Sequence, residues 1–166
     1  MRCIVNRPDL RIYQGNADEW DSSIPVDFIF TNPYGFMPRI LSQTPALVHH
    51  WAHRKADAER WSHMQLSYPV GFWNEGREVF WANRFVVPQT AVDISMFRPE
   101  PGGWYPEDLV RTLLPHFVKA GQTVWDGFMG RGTVGKVCLE MGINYIGIEQ
   151  LEGHLALALD YLGIEK

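Results

Sequence analysis

The chain has 166 residues, 46% hydrophobic and 20% charged, the make-up of a soluble globular protein with one buried core. A net charge of −4 and a pI near 5.8 exclude a global basic field for nucleic acid and leave room only for a local patch. Cys3 and Cys138 cannot build a disulfide framework, and no apolar leader or membrane-length apolar run is visible, so the sequence predicts one reduced, cytoplasmic, non-membrane domain over 1–166.

In chain order, RIYQGN (11–16) reads as a short strand ending in a turn, and ADEWDSS as a helical turn or two. VDFIF (26–30) is a β-rich apolar run cut short by TNPYG, whose Asn, Pro and Gly make a turn; a strand that stops in a polar turn is a usual place for chemistry. Residues 36–76 are mixed and rich in His and Trp, partly helical around AHRKADAERW. EVFWANRFVVP and AVDISMF (within 78–97) read as two strands near a sheet edge, and PEPGGWYP (99–106) as a loop. EDLVRTLL follows as a helix with acids in its first turn, its far end blurred by Pro115. QTVWDGF holds a strand; from Thr133 a helix places Val134, Val137, Cys138 and Met141 at i, i+3, i+4, i+7 and stops at Gly142. NYIGIEQ is another strand and LEGHLALALDYLG a closing helix, so a Gly-rich loop sits at a strand-to-helix turn of a β-α-β-α unit.

That loop, WDGFMGRGTVGK (125–136), fits three patterns at once. Gly130, Gly132 and Gly135 spell the dinucleotide fingerprint, supported by Glu149 at the next strand end, 17 residues after Gly132. Only one further strand and helix follow, however, so the rest of the sheet must come from the N-terminal part of the chain, which is foreign to a dinucleotide fold. Gly130 to Lys136 spell most of a P-loop, but Val137 stands where a Ser or Thr must hold magnesium. Asp126, Phe128, Gly130, Gly132 and Thr133 fit the third pattern, D-x-F-x-G-x-G-T.

With TNPYG upstream, the third pattern explains more of the chain. WDGFMGRGTVGKVCLEMGINYIGIEQ resembles the S-adenosyl-L-methionine segment of amino-group DNA methyltransferases, usually D-P-F-x-G-x-G-T, a helix, and a strand ending in Glu. TNPYG resembles their (D/N/S)-P-P-(Y/F/W) motif, and GGWYPEDLVRTLL loosely matches the segment that precedes their cofactor loop. The resemblance covers 11–35 and 104–162, with the catalytic motif ahead of the cofactor loop. It implies an α/β, Rossmann-like methyltransferase sheet in circularly permuted motif order, S-adenosyl-L-methionine as cofactor, and methyl transfer to an exocyclic amine of DNA, adenine N6 before cytosine N4.

The resemblance also implies roles. Backbone N–H groups from Gly130 to Thr133 lie near the cofactor's polar end, Asp126 accepts from the methionyl ammonium, Glu149 accepts from the ribose hydroxyls, and Phe128 is equally wall or core. Asn16 matches a cofactor-side position and equally a plain turn residue. Asn32 and the carbonyl beside Pro33 accept from the target amine, with Thr31 the rival of Asn32 under the other alignment, and Tyr34 stacks on a base flipped out of double-stranded DNA. Gly127 and Arg131 depart from the usual loop. Little room remains for a target-recognition region, so a homodimer or separate specificity partner is an expectation. LVHHWAHRKADAERWSH (47–63) is the local nucleic-acid segment, or else a solvated helix; its His residues lack partners at metal-ligand spacing, so no metal is expected. A catalytically inactive binding module, and methylation of RNA or a protein glutamine, stay open.

Overall fold

The computed structural model describes residues 1–33, 41, 43–51, 64–86 and 91–165, without the side chains of residues 50, 51, 67 and 68. Its strands are β1 (Arg2–Asn6), β2 (Leu10–Gln14), β3 (Phe28–Thr31), β4 (Ala46–Trp51), β5 (Leu66–Trp73), β6 (Glu78–Asn83), β7 (Thr123–Asp126) and β8 (Asn144–Glu149). The α-helices are α1 (Glu107–Leu113), α2 (Thr133–Glu140) and α3 (Glu152–Tyr161). All the strands join one eight-stranded sheet in the order β1-β2-β8-β7-β3-β4-β6-β5. From β2 to β4 every neighbouring pair is parallel, while β1, and β6 against both β4 and β5, run antiparallel.

Parallel strands covered on both faces need apolar side chains on both, and β3 (FIFT) is buried at every position. Phe28 and Phe30 join the core that also holds Leu109 of α1, Val134 of α2 and Leu155 of α3. Ile29 faces the other way, into a smaller core with Trp20, Trp125 and Ile148. The helix read from Thr133 is α2, ended by Gly142 at φ +69° as expected. Gly135 lets α2 close on β8, because a Cβ there would sit 2.6 Å from the Tyr145 ring.

The N-terminal strands flank the strands of the Gly-rich unit on both sides, as expected. β2 pairs with β8 (Leu10 opposite Tyr145), and β3 pairs with β7 (Phe28 opposite Val124). At β7 the order reverses: the chain runs to β8 on one side, while β3 and β4 lie on the other. A ligand crevice belongs at such a switch point, outside the C-terminal strand ends.

Three expectations need correction. AVDISMF is not a strand: Asp93 Oδ1 accepts from Ser95 N at 3.1 Å and turns the chain, and Phe97 N donates to Ile94 O at 3.2 Å. The edge strand beside β6 is instead β5, whose Pro69 and two register shifts hide its alternation in sequence. Residues 47–51 are strand rather than helix, and His49 is buried, not offered to nucleic acid. Residues 52–63, with the cations of that segment, lie outside the described residues, as does Tyr34.

Candidate active site

Four parallel strands deliver their C-terminal ends to one edge: Gln14, Glu149, Asp126 and Thr31. A cleft of about 500 Å³ opens there. Its lining includes Asn16, Thr31, Asn32, Asp126, Phe128, Gly130, Thr133 and Glu149, so the cofactor-type loop and the TNP turn face one space from adjacent strands. Pro33 is buried directly after Asn32.

The glycines let backbone and rings approach. Gly130 (φ +55°) and Gly132 (φ +86°) take the left-handed conformation, and a Cβ on Gly130 would lie 2.6 Å from the Trp104 ring. Gly127 has a simple reason: a Cβ there would meet the Trp125 ring at 2.3 Å, leaving no room for the usual Pro. Arg131 turns away from the cleft. Its guanidinium pairs with Glu100, donates to the Tyr105 carbonyl at 3.4 Å and lies 4.7 Å from the Tyr161 ring centroid. Lys136, the other cation of the loop, pairs with Glu107 at 2.8 Å.

Both acids are held by donors. Glu149 Oε2 accepts from Gly130 N at 3.0 Å and Oε1 from Leu151 N at 2.8 Å, which ties the Gly-rich loop to the end of β8. Each oxygen keeps a lone pair for a ligand hydroxyl. Asp126 Oδ1 accepts from Phe128 N at 3.1 Å and Oδ2 from Tyr145 Oη at 3.0 Å. Burial pushes the Asp126 carboxyl up to about 7, against those two donors and with the help of the nearby Glu149 charge. Asn16 Oδ1 accepts from Asp18 N at 3.1 Å, so it caps a turn while lining the cleft. Thr133 Oγ1 accepts from Arg131 Nε at 3.2 Å. Thr31 is 1% exposed, and its Oγ1 has no hydrogen-bond partner among the described residues.

Charge discriminates among ligands. Among the described residues the lining carries Asp126 and Glu149 but no Lys or Arg. The two acids match a cationic ligand with a diol, and Lys136, which a P-loop would turn to a phosphate, pairs with Glu107 instead. Sequence reasoning missed Trp104, Tyr105 and His154, which also line the cleft. Two aromatics directly ahead of α1 were a usable signal; His154, whose ring meets Trp104 edge-on at 5.3 Å, had none.

Residues 101–160 match the family model described as DNA methylase. Over this segment the chain is similar to the DNA methylases. It is 30% identical over 110 residues to the type II methyltransferase M.HindIII of Haemophilus influenzae, an overlap of 61% of this chain and 34% of that protein. The chain thus spans about a third of that relative's length. Among solved structures, the M1.HpyAVI–SAM complex superposes with TM-score 0.68 at 16% identity, covering 93% of this chain and 100% of the other. The cytosine-N4-specific PvuII DNA methyltransferase gives 0.66 at 12% identity over 95% and 87%. The fold is therefore the Rossmann-like sheet of DNA methyltransferases, with the TNP strand ahead of the Gly-rich loop in the chain and beside it in the sheet. Among the described residues, no helix is long and apolar enough to cross a membrane.

Proposed function

We propose that this protein transfers a methyl group from S-adenosyl-L-methionine to an exocyclic amino group of a base in double-stranded DNA, adenine N6 in preference to cytosine N4. The observation that carries the reading is the meeting of Asn32 with an acid-lined Gly-loop cleft at the sheet's switch point. The residues suit the cofactor: Glu149 keeps acceptor capacity for a ribose diol, Asp126 for the methionyl ammonium, Phe128 a ring for the wall, and Gly130 to Thr133 a close backbone.

The methyl donor supplies an electrophilic carbon with a neutral thioether as leaving group. The protein's part concerns the amine, a poor nucleophile because its lone pair is delocalised into the ring. Asn32 Oδ1 and the carbonyl beside Pro33 accept from the amine N–H groups and draw the nitrogen towards tetrahedral geometry as the methyl arrives. Tyr34 stacks on the extruded base, and Thr31 supplies a hydroxyl at the foot of the turn. Recognition of a target sequence is assigned to a second copy or a specificity partner.

Labelled methyl transfer to unmethylated DNA tests this, with adenine and cytosine products separated after digestion. Transfer that falls at least about 10²-fold in Asn32→Ala supports the reading. Binding of the cofactor with no transfer to DNA would instead favour an inactive binding module.

A further inference from the structure

Glu78, His49 and Tyr105 come from β6, β4 and the loop ahead of α1, and they form a hydrogen-bonded chain ending in the cleft. His49 Nδ1 lies 2.8 Å from Tyr105 Oη, and His49 Nε2 lies 3.1 Å from Glu78 Oε2. His49 and Glu78 are both buried. Rings enclose the chain: Phe80 stacks on His49 at 4.5 Å, while Trp73 and Phe30 lie 5.5 and 6.0 Å from Tyr105. Taking an acid and an imidazole out of water costs desolvation that apolar residues of similar volume would avoid, so the pair calls for a reason beyond stability.

Proton transfer uses one polarity of the chain. With Glu78 ionised and the ring neutral, His49 Nε2 carries the proton and donates to Glu78, and Nδ1 accepts from the Tyr105 hydroxyl. Acid, imidazole and hydroxyl in that order form the arrangement in which an imidazole takes a hydroxyl's proton. Of the three residues, Tyr105 is the one that lines the cleft. Phe30, against the Tyr105 ring, and Asn32, just past the end of β3, both line the cleft.

We propose that Tyr105, His49 and Glu78 accept the proton that the target amine must release. The proposal rests on the methyl-transfer reading above. As the new N–C bond forms, the S–C bond pair leaves with sulfur and one N–H bond must break. Asn32 can orient that N–H but is no base. The proton passes to Tyr105 Oη while the hydroxyl's own proton passes to His49 Nδ1, leaving an imidazolium opposite the Glu78 carboxylate. With the product gone, the same path returns the proton to water in the open cleft.

The test combines a spectroscopic and a kinetic readout. Nitrogen NMR of the folded protein is expected to show His49 protonated at Nε2 and bare at Nδ1. Single-turnover methyl transfer is expected to slow about 10²-fold in Tyr105→Phe and in Glu78→Gln, with cofactor affinity by calorimetry within about twofold of wild type. The double variant is expected to be no slower than Tyr105→Phe alone, because the chain acts as a unit. Should Tyr105→Phe melt early, the isosteric Glu78→Gln carries the kinetic test. A His49 protonated at Nδ1, or wild-type transfer in both variants, overturns the relay. If Asn32→Ala abolishes transfer while these variants keep it, the relay alone is lost; a wild type that transfers nothing overturns both.

Discussion

Binding of a cationic ligand beside Asp126 should expel a proton. The carboxyl is 3% exposed and, without ligand, titrates near pH 7 because burial disfavours its charge. An ammonium placed against it favours the ionised form, so the liganded pKa is lower than the free one. Affinity for S-adenosyl-L-methionine therefore rises as pH climbs towards 7 and levels off above it. With a pKa of about 7, the free carboxyl is roughly 90% protonated at pH 6 and about 10% at pH 8, so binding at pH 6 releases about 0.9 proton. Below the midpoint each pH unit costs about tenfold in affinity, about 1.4 kcal/mol. Calorimetry in buffers of different ionisation enthalpy reads proton release and affinity together, and Asp126→Asn should abolish the release and flatten the pH dependence. The same carboxyl acts on the free protein with the opposite consequence. Its folded pKa lies above the unfolded value of 3.8, so the folded state binds the extra proton and stability declines as pH rises from about 4 to about 7, by on the order of 4 kcal/mol. Asp126→Asn should remove that slope in thermal melts. Equal affinity at pH 6 and 8 with no proton released, or a pH dependence that survives in Asp126→Asn, would refute the assignment.

Glu149→Gln replaces one of two acceptor oxygens with an NH₂ that must face either Gly130 N or Leu151 N, so cofactor affinity should fall about 10- to 100-fold in equilibrium binding. An unchanged Kd would detach Glu149 from the ribose. Gly127→Ala forces a methyl to within 2.3 Å of the Trp125 ring and should lower stability by about 1–3 kcal/mol, read as a fall in Tm. Gly153→Ala is the control: it sits inside α3 with no atom within 4 Å of the added Cβ, and should raise stability by roughly 0.5–1 kcal/mol.

What was legible in the sequence was local. VDFIF, QTVWDGF and NYIGIEQ read as strands because an apolar run between turn residues needs no partner to be recognised, and α2 declared itself through Val134, Val137 and Cys138. Arg11 to Asn16 announced β2, but nothing local marked β1, whose place depends on Cys3 pairing with Tyr13. The same limit hid β5, since register shifts at Ser67 and Val70 break a period that only the partner strand β6 makes visible. Asp126 and Glu149 each end a strand and Asn32 follows the end of one, and a parallel sheet gathers strand ends into one place whatever their separation in sequence.

The two loop residues that looked like defects are resolved by neighbours that no local pattern reveals. Trp125 lies under Gly127, and Glu100, 31 residues before Arg131, takes its charge. By pairing with Arg131, Glu100 holds that charge off the described lining of the cleft, which suits a cationic ligand. The relay is the extreme case: Tyr105 stands 56 residues from His49, which stands 29 from Glu78. The sheet itself makes that meeting. β6 lies antiparallel beside β4 with His49 opposite Phe80, so Glu78 falls two residues further along the same face, and the loop before α1 lowers Tyr105 onto the histidine. In sequence His49 is one of several histidines in a mixed segment. Its chemistry comes from the carboxylate and the hydroxyl that long-range pairing brings to its two nitrogens.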